Sequence, residues 1–199
     1  MKEEILINVT PSETRVAVVE NGVLQELHVE RTSNRGIVGN IYRGKVVRVL
    51  PGMQAAFVDI GLEKAAFLHA QDILDSAGEP VAEDVNIRTL VHDGQEMVVE
   101  VLKEPLGTKG ARVTTQLSIS SRYIVFSPCN DHVGVSLRIE DEQERERLRT
   151  TVESLRSSVR DLLPGAPKRL GFIVRTASEG VDQETLKADM EFTVKLWMG

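Results

Sequence analysis

Short apolar runs separated by turn residues dominate the first part of the chain. Between residues 4 and 30, "ILINV", "TRVAVV" and "LQELHV" alternate with Pro11-Ser12-Glu13 and Asn21-Gly22. Runs of this length, with Asn-Gly as a hairpin turn, predict a three-stranded antiparallel meander. From Asn40 to about Ile119 the runs "NIYRGKVVRVL", "QAAFVDIG", "AAFLHA", "EMVVEVLKE" and "RVTTQLSI" predict further strands. Gly or Pro punctuates them at 52, 61, 105, 107 and 110, and one long loop near residues 72 to 93 interrupts the series. Several short strands without a long helix predict a small barrel.

The period then changes. "RYIVFSP" and "VGVSLRI" read as two strands, and Asp141 opens a charged helix. Its Leu148, Val152, Leu155, Val159 and Leu162 recur at helical spacing until Pro164-Gly165 ends the pattern. The strand "LGFIVRT" follows, then a helix capped near Asp182 with Leu186, Met190, Val194 and Trp197 on one face. Strands at both ends of the chain predict an α+β layer with the barrel inserted between them.

Composition narrows the function classes. The 199 residues are 41% hydrophobic and 27% charged, which suits a soluble globular protein of one domain or two small ones. No run approaches the ~18 apolar residues of a membrane helix, and "MKEEILINV" is too acidic for a signal peptide, so a cytoplasmic location is expected, with no membrane partner. Cys129 is the one cysteine, which excludes an internal disulfide and a cysteine-built zinc site within the chain. The net charge of −6 argues against nonspecific coating of nucleic acid, which rests on neutralising many phosphates. The charge is unevenly spread, however. Asp72, Asp75, Glu79, Glu83 and Asp84 form an acidic stretch, whereas Arg43, Lys45, Arg48, Lys103, Lys109, Arg112 and Arg122 bracket the segment "LPGMQAAFVDIGLEKAAFL".

Within that segment Phe57 and Phe67 fall ten residues apart on neighbouring predicted strands. Two readings stand. Both rings belong to the core, as most strand phenylalanines do, or both lie on an open barrel face where bases of a single strand stack, at ~1–3 kcal/mol each. Arg43, Lys45 and Lys109 on the rim favour the second. The loop "KEPLGTKGARVTT" either clamps a nucleic-acid backbone through Lys109 and Arg112 or is a solvated hairpin. At the end of "GFIVRTAS", Arg175 and Thr176 combine a guanidinium fork with a hydroxyl, which suits a terminal phosphate, or equally a surface ion pair and turn cap.

Enzyme signatures are sparse. The acids of "EDEQERERLRT" interleave with Arg145, Arg147 and Arg149 and read as an ion-paired helix face. Asp59 and Glu63 flank a turn, the histidines at 28, 69, 92 and 132 lack ligand spacing, and no serine sits in a nucleophile motif.

In order and spacing, "NVTPSETRVAVVENGVLQE", "RGIVGNIYRGKVVRVLPGMQAAFVDIG", "AAFLHAQDI", "LGTKGARVTT", "HVGVSLRIE" and "GFIVRTA" resemble the N-terminal part of the ribonuclease E/G family, over essentially all 199 residues. The resemblance implies a Mg²⁺-dependent endoribonuclease that cuts single-stranded RNA in A/U-rich stretches and prefers a 5′-monophosphate end. It implies ribosomal RNA precursors and messenger RNA as substrates, and a homo-oligomeric full-length protein. The fold it implies is an S1-like OB barrel, residues 37–118, inserted into a ribonuclease H-like α+β domain formed by residues 1–36 and 119–199. By the resemblance Phe57 and Phe67 stack on RNA and Lys109 pairs with phosphate, beside Lys45 and Arg112 from the rim and loop. Arg175 and Thr176 hold the 5′-phosphate, completed by main-chain groups near Ser121 and Val125.

There are departures from the family pattern. Leu137 stands where some members carry the first of two arginines before "IE", which weakens the pocket's support or routes it through Arg138. Asn8 stands where a working ribonuclease H-fold enzyme carries an acid. The family's Mg²⁺-binding aspartates and zinc-linking cysteines lie in later regions, so neither ion is expected in this chain, and no catalytic residue is assigned to it. The expectation is a span that recognises RNA without cutting it. Two alternatives remain open: a self-sufficient enzyme built on Asp59 or the 141–146 acids, and a non-catalytic protein-interaction module using the helix that ends at Trp197.

Overall fold

A computed structural model describes residues 2–75, 78–82, 85–162 and 165–199. Glu83, Asp84 and Pro164, invoked above for the acidic loop and the helix end, lie outside the described residues. The chain divides into two compact units, Met1–Ile37 and Val38–Gly199.

The first unit is a sheet of its own, in order β1 (Glu3–Val9), β2 (Glu13–Glu20) and β3 (Val23–Arg31), all antiparallel. Asn21 and Gly22 both take positive φ, 48° and 82°, as a two-residue hairpin with the sheet's right-handed twist requires. At the other turn the Thr10 hydroxyl accepts the Glu13 N–H at 3.1 Å, closing the Pro11-Ser12 corner.

The second unit opens with a closed barrel of β4 (Ile41–Leu50), β5 (Ala55–Asp59), β6 (Ala66–His69), β7 (Glu96–Lys103) and β8 (Arg112–Thr114), in the order β4-β5-β6-β8-β7. Its interior is built from small and branched side chains: Val46, Ala56, Val58, Ala66, Leu68, Val99 and Val113 are wholly buried. Five strands close on a narrow lumen, which favours Ala and Val over large rings. Among its described residues the predicted long loop contains a helical turn, α1 (Ile87–Leu90), where the Asn86 side chain accepts the Arg88 N–H at 3.0 Å. The run "RVTTQLSI" is two strands and not one. After β8, the Thr114 hydroxyl turns back to the Asp72 carbonyl at 2.7 Å, and the chain re-enters a sheet only at β9 (Ile119–Ser120).

That second sheet has the order β11-β12-β10-β9, with β10 at Ile124–Ser127, β11 at Val133–Val135 and β12 at Gly171–Val174. β11 and β12 run parallel, joined by α2 (Glu142–Leu162), and α3 (Gln183–Met198) follows β12. The helices bury the faces their spacing predicts: Leu148, Val152, Leu155 and Val159 on α2, Leu186, Met190 and Val194 on α3. These close over Ile124, Phe126, Phe172 and Val174, with the Phe126 and Phe172 rings 5.4 Å apart. Leu162, counted with the apolar face, is exposed instead, because it lies in the last turn of α2. Trp197 packs against the core; the exposed large apolar side chains of α3 are Phe192, Leu196 and Met198. Asp141 and Asp182 cap the two helices, accepting from Gln143 N and Thr185 N at 2.8 Å each.

Candidate nucleic-acid interface

Alternation along β5 and β6 sends Ala56, Val58, Ala66 and Leu68 into the barrel, and Phe57, Phe67 and His69 to its outer surface. The two phenylalanine rings are half-buried and belong to the outer face, so the core reading does not describe them. They are direct partners across the ladder, with centroids 6.2 Å apart and planes at 69°. The register continues in both directions. Arg48 on β4 faces Phe57, Arg112 on β8 faces Phe67, and Lys103 on β7 faces Arg112. One cross-strand row therefore reads Arg48, Phe57, Phe67, Arg112, Lys103.

Not all of these cations are free to meet a ligand. The Arg112 guanidinium is held in a two-pronged pair with Asp72, Nε to Oδ2 at 2.8 Å and Nη2 to Oδ1 at 3.0 Å. Asp72 is buried, and its carbonyl also accepts the Thr114 hydroxyl, so Arg112 braces the barrel wall beneath the rings. Arg43 is similarly paired with Glu96. Lys45 is exposed, opposite Asp59 on one side and Glu96 on the other, away from the aromatic row. Arg48 and Lys103 are exposed and make no ion pair among the described residues.

Lys109 ends a tight turn in which Leu106 and Lys109 exchange main-chain bonds of 3.2 and 3.0 Å. This turn is pinned to the aromatic strand. Lys64 Nζ donates to the Gly107 carbonyl at 2.6 Å, and Phe67 N donates to the Ala111 carbonyl at 2.7 Å. Gly110 lies so close to β6 that a Cβ there would come within 1.9 Å of the Ala65 carbonyl oxygen. The close approach brings the exposed Lys109 to the edge of the ring surface.

In the second sheet, Arg175 and Thr176 leave the end of β12, both exposed. The Arg175 guanidinium donates to the Ser121 carbonyl, and the Thr176 and Ser136 hydroxyls share a hydrogen bond of 3.1 Å. Arg175, Thr176, Ser121 and Ser136 thus converge at one end of the sheet, beyond the last residue of β12. The turn at Ser121 is itself organised by Asp189 of α3. That carboxylate accepts the Ser121 hydroxyl and the N–H groups of Tyr123 and Ile124, both at 3.0 Å. Val125 is placed differently from the expectation. It sits in the central strand β10, opposite Ser120 on one side and Ile173 on the other, so its main chain faces neighbouring strands and not an open pocket. The Ser121 N–H is likewise spent on the Ile124 carbonyl. Leu137 is 89% exposed and lends the cluster no support, while Arg138 N donates weakly to the Ser136 hydroxyl at 3.4 Å.

The segment after Thr176 is anchored by Glu144, which accepts from Arg147 Nε at 2.6 Å and from Gly180 N at 2.8 Å. These bonds, the Arg147 one foremost, lower the Glu144 carboxyl to about 2. Glu146 pairs with Arg149, so two of the acids considered as metal ligands form ion-paired helix contacts. Asp59 accepts the Gly61 N–H at 2.9 Å as a turn residue. Among the described residues no group of three or more His, Cys, Asp or Glu side chains could hold a metal ion.

The site missed by reading the sequence is the cationic ends of the row. Bulges between Val46 and Arg48, and between Val101 and Lys103, shift the alternation by one residue. Simple period-two counting would set Val47 and Leu102 in their places.

A closed barrel bearing an outward aromatic row, joined to a mixed α+β sheet, has the architecture of the OB-type modules, some of which bind single strands by stacking. Family comparison agrees: residues 37–115 match the S1 RNA binding domain, and residues 118–199 match the Ribonuclease E/G family. Ribonuclease G of Haemophilus influenzae is 56% identical over 201 residues, spanning 98% of this chain and 39% of that protein. Ribonuclease G of Escherichia coli K12 is 53% identical over 203 residues, with 99% and 40% covered. Ribonuclease E of the same strain is 36% identical over 205 residues, covering 98% of this chain and 18% of its own. The chain belongs to the ribonuclease E/G family. It spans about two fifths of the length of these ribonuclease G relatives.

Proposed function

We propose that this chain is the RNA-recognition part of a ribonuclease G-like endoribonuclease. Single-stranded RNA crosses the outer barrel face, bases stacking on Phe57 and Phe67 while Arg48, Lys103 and Lys109 meet its phosphates. Lys45 lies outside this path and contributes long-range attraction. Arg112 acts through Asp72, holding the strand that carries its partner Phe67. Arg175 and Thr176, with Ser136 beside them, take the 5′-monophosphate of the same RNA. Residues 1–36 and 119–199 correspond in sequence to the two parts of a ribonuclease H-like domain, interrupted by the barrel segment 37–118. Metal-dependent cleavage of ribosomal RNA precursors and messages, in the cytoplasm, belongs to the longer protein, with homo-oligomer formation; the described residues supply binding and orientation.

The observation that carries this reading is the ladder row in which two outward, mutually contacting rings lie between Arg48 at one end and Lys103 at the other, neither of them in an ion pair among the described residues. Rings on an open surface give sequence-tolerant stacking, and flanking cations release counterions when phosphate binds. The test is the salt dependence of affinity for a short A/U-rich single-stranded RNA, read by fluorescence anisotropy. Arg48→Ala and Lys109→Ala should each weaken binding and each flatten the log–log salt slope by about 0.7, the value per phosphate contact on a single strand. Lys45→Ala should change the slope by less. Unchanged slopes in the first two variants would mean that the RNA path lies elsewhere.

A further inference from the structure

Behind the Arg175 end of the second sheet lies a carboxylate that meets no cation. Asp189 sits on α3 next to Met190, whose side chain is buried in the core, so the helix holds it at the start of β10. One oxygen, Oδ2, accepts three bonds: from the Ser121 hydroxyl and from the N–H groups of Tyr123 and Ile124, the last two at 3.0 Å each. The turn it grips is closed by the Ser121 N–H on the Ile124 carbonyl at 2.9 Å. Arg175 is fastened to this same turn twice, its N–H on the Tyr123 carbonyl at 2.8 Å and its guanidinium on the Ser121 carbonyl. Neither Asp189 nor Arg175 takes part in an ion pair among the described residues. In the barrel, Asp72 occupies both prongs of Arg112 directly. Asp189 reaches Arg175 only through a neutral carbonyl, which directs the fork and leaves its charge to a ligand.

We infer that Asp189 is the positioning residue of the 5′-phosphate site: by fixing the turn 121–124 it sets the Ser121 carbonyl, and that carbonyl aims the Arg175 guanidinium at a terminal monophosphate. The inference rests on the phosphate reading above. A planar fork pairs two-pronged with phosphate only in one direction, and an exposed arginine without a second anchor spreads over many rotamers. Holding it beforehand removes that cost from binding. The competing role for Asp189 is purely structural: its Oδ2 also meets two main-chain donors at the entry to β10, which would lower stability if left bare.

The readout that separates the roles is the preference for a 5′-monophosphate. It is the ratio of the full chain's affinities for the 5′-monophosphorylated and 5′-hydroxyl forms of one 3′-labelled A/U-rich single strand of about ten nucleotides. Asp189→Ala removes the acceptor and should shrink this ratio about fivefold or more. Asp189→Asn keeps an oxygen in the place of Oδ2 and should retain most of the preference. An unchanged ratio in Asp189→Ala overturns the inference, even where both affinities fall together, because an equal loss makes the role structural. An asparagine variant as impaired as the alanine one overturns it too. Where the alanine variant fails to fold, Asp189→Glu decides in its place, since it keeps the charge and displaces the oxygen. A reduced ratio there supports the inference and a wild-type ratio overturns it. Arg175→Ala, run in parallel, tells the failures apart. If it abolishes the preference and Asp189→Ala does not, only the positioning role is wrong; if Arg175→Ala leaves the preference intact, the phosphate site itself is misplaced.

Discussion

Replacing both ring residues, Phe57→Ala with Phe67→Ala, should weaken binding of single-stranded RNA about 100-fold or more, the largest change expected of any surface substitution here. Stacking on one exposed ring contributes roughly 1–3 kcal/mol. Phe57 and Phe67 also touch each other edge to face, so each single alanine variant leaves its partner less well supported. Their effects should not add simply, and the double variant should fall short of the product of the two singles. Both rings lie outside the barrel core of Val58, Leu68 and Val113, so the fold should survive their loss. Phe→Leu at the same two sites provides the control, because it keeps most of the apolar volume and removes the flat face. Anisotropy titrations paired with melting curves should find the leucine double variant near wild-type stability yet weakened in binding. Retention of affinity by the alanine pair would show that bases do not rest on these rings.

Gly110→Ala should be the most disruptive single change to the barrel, costing about 3 kcal/mol. The new Cβ would stand 1.9 Å from the Ala65 carbonyl oxygen and 2.9 Å from its carbon. These are main-chain atoms at the entry to β6, so no side-chain rotation relieves the clash and one strand must move. Movement there breaks the 2.7 Å bond from Phe67 N to the Ala111 carbonyl and displaces Lys109. Urea unfolding should therefore show a lower midpoint, and RNA affinity should fall with it although no contacting side chain has changed. A Gly110→Ala protein of wild-type stability would contradict the close approach of the loop to the strand.

Much of the fold was legible because local signals and burial agreed. Asn21-Gly22 supplied the turn geometry that its hairpin needs, and the 3.6-residue period of Leu148, Val152, Leu155 and Val159 marked the buried face of α2. Phe57 and Phe67 could be singled out by strand spacing, but whether they faced in or out depended on barrel closure, which is a non-local property. The charged neighbours were harder to assign. Arg112 looked like a phosphate ligand from its loop context, yet its partner Asp72 lies forty residues away and claims both prongs of the guanidinium. Arg48 and Lys103 were hidden behind bulges, which no periodicity of residue types announces. Val125 read as an available main-chain donor only until β9 and β12 closed on both of its edges. His69 was set aside for want of metal-ligand spacing, while its ring contact with Phe67 needed the ladder to be seen.

The central claim is that RNA lies across the outer row of the barrel, and amide and aromatic NMR shifts during titration with a short single-stranded RNA test it most directly. Resonances of Arg48, Phe57, Phe67 and Lys109 should move together and saturate at one ratio, while those of the buried Val58, Leu68 and Val113 stay in place. Shifts confined to other surfaces, with the two phenylalanine rings unperturbed at saturation, would contradict it.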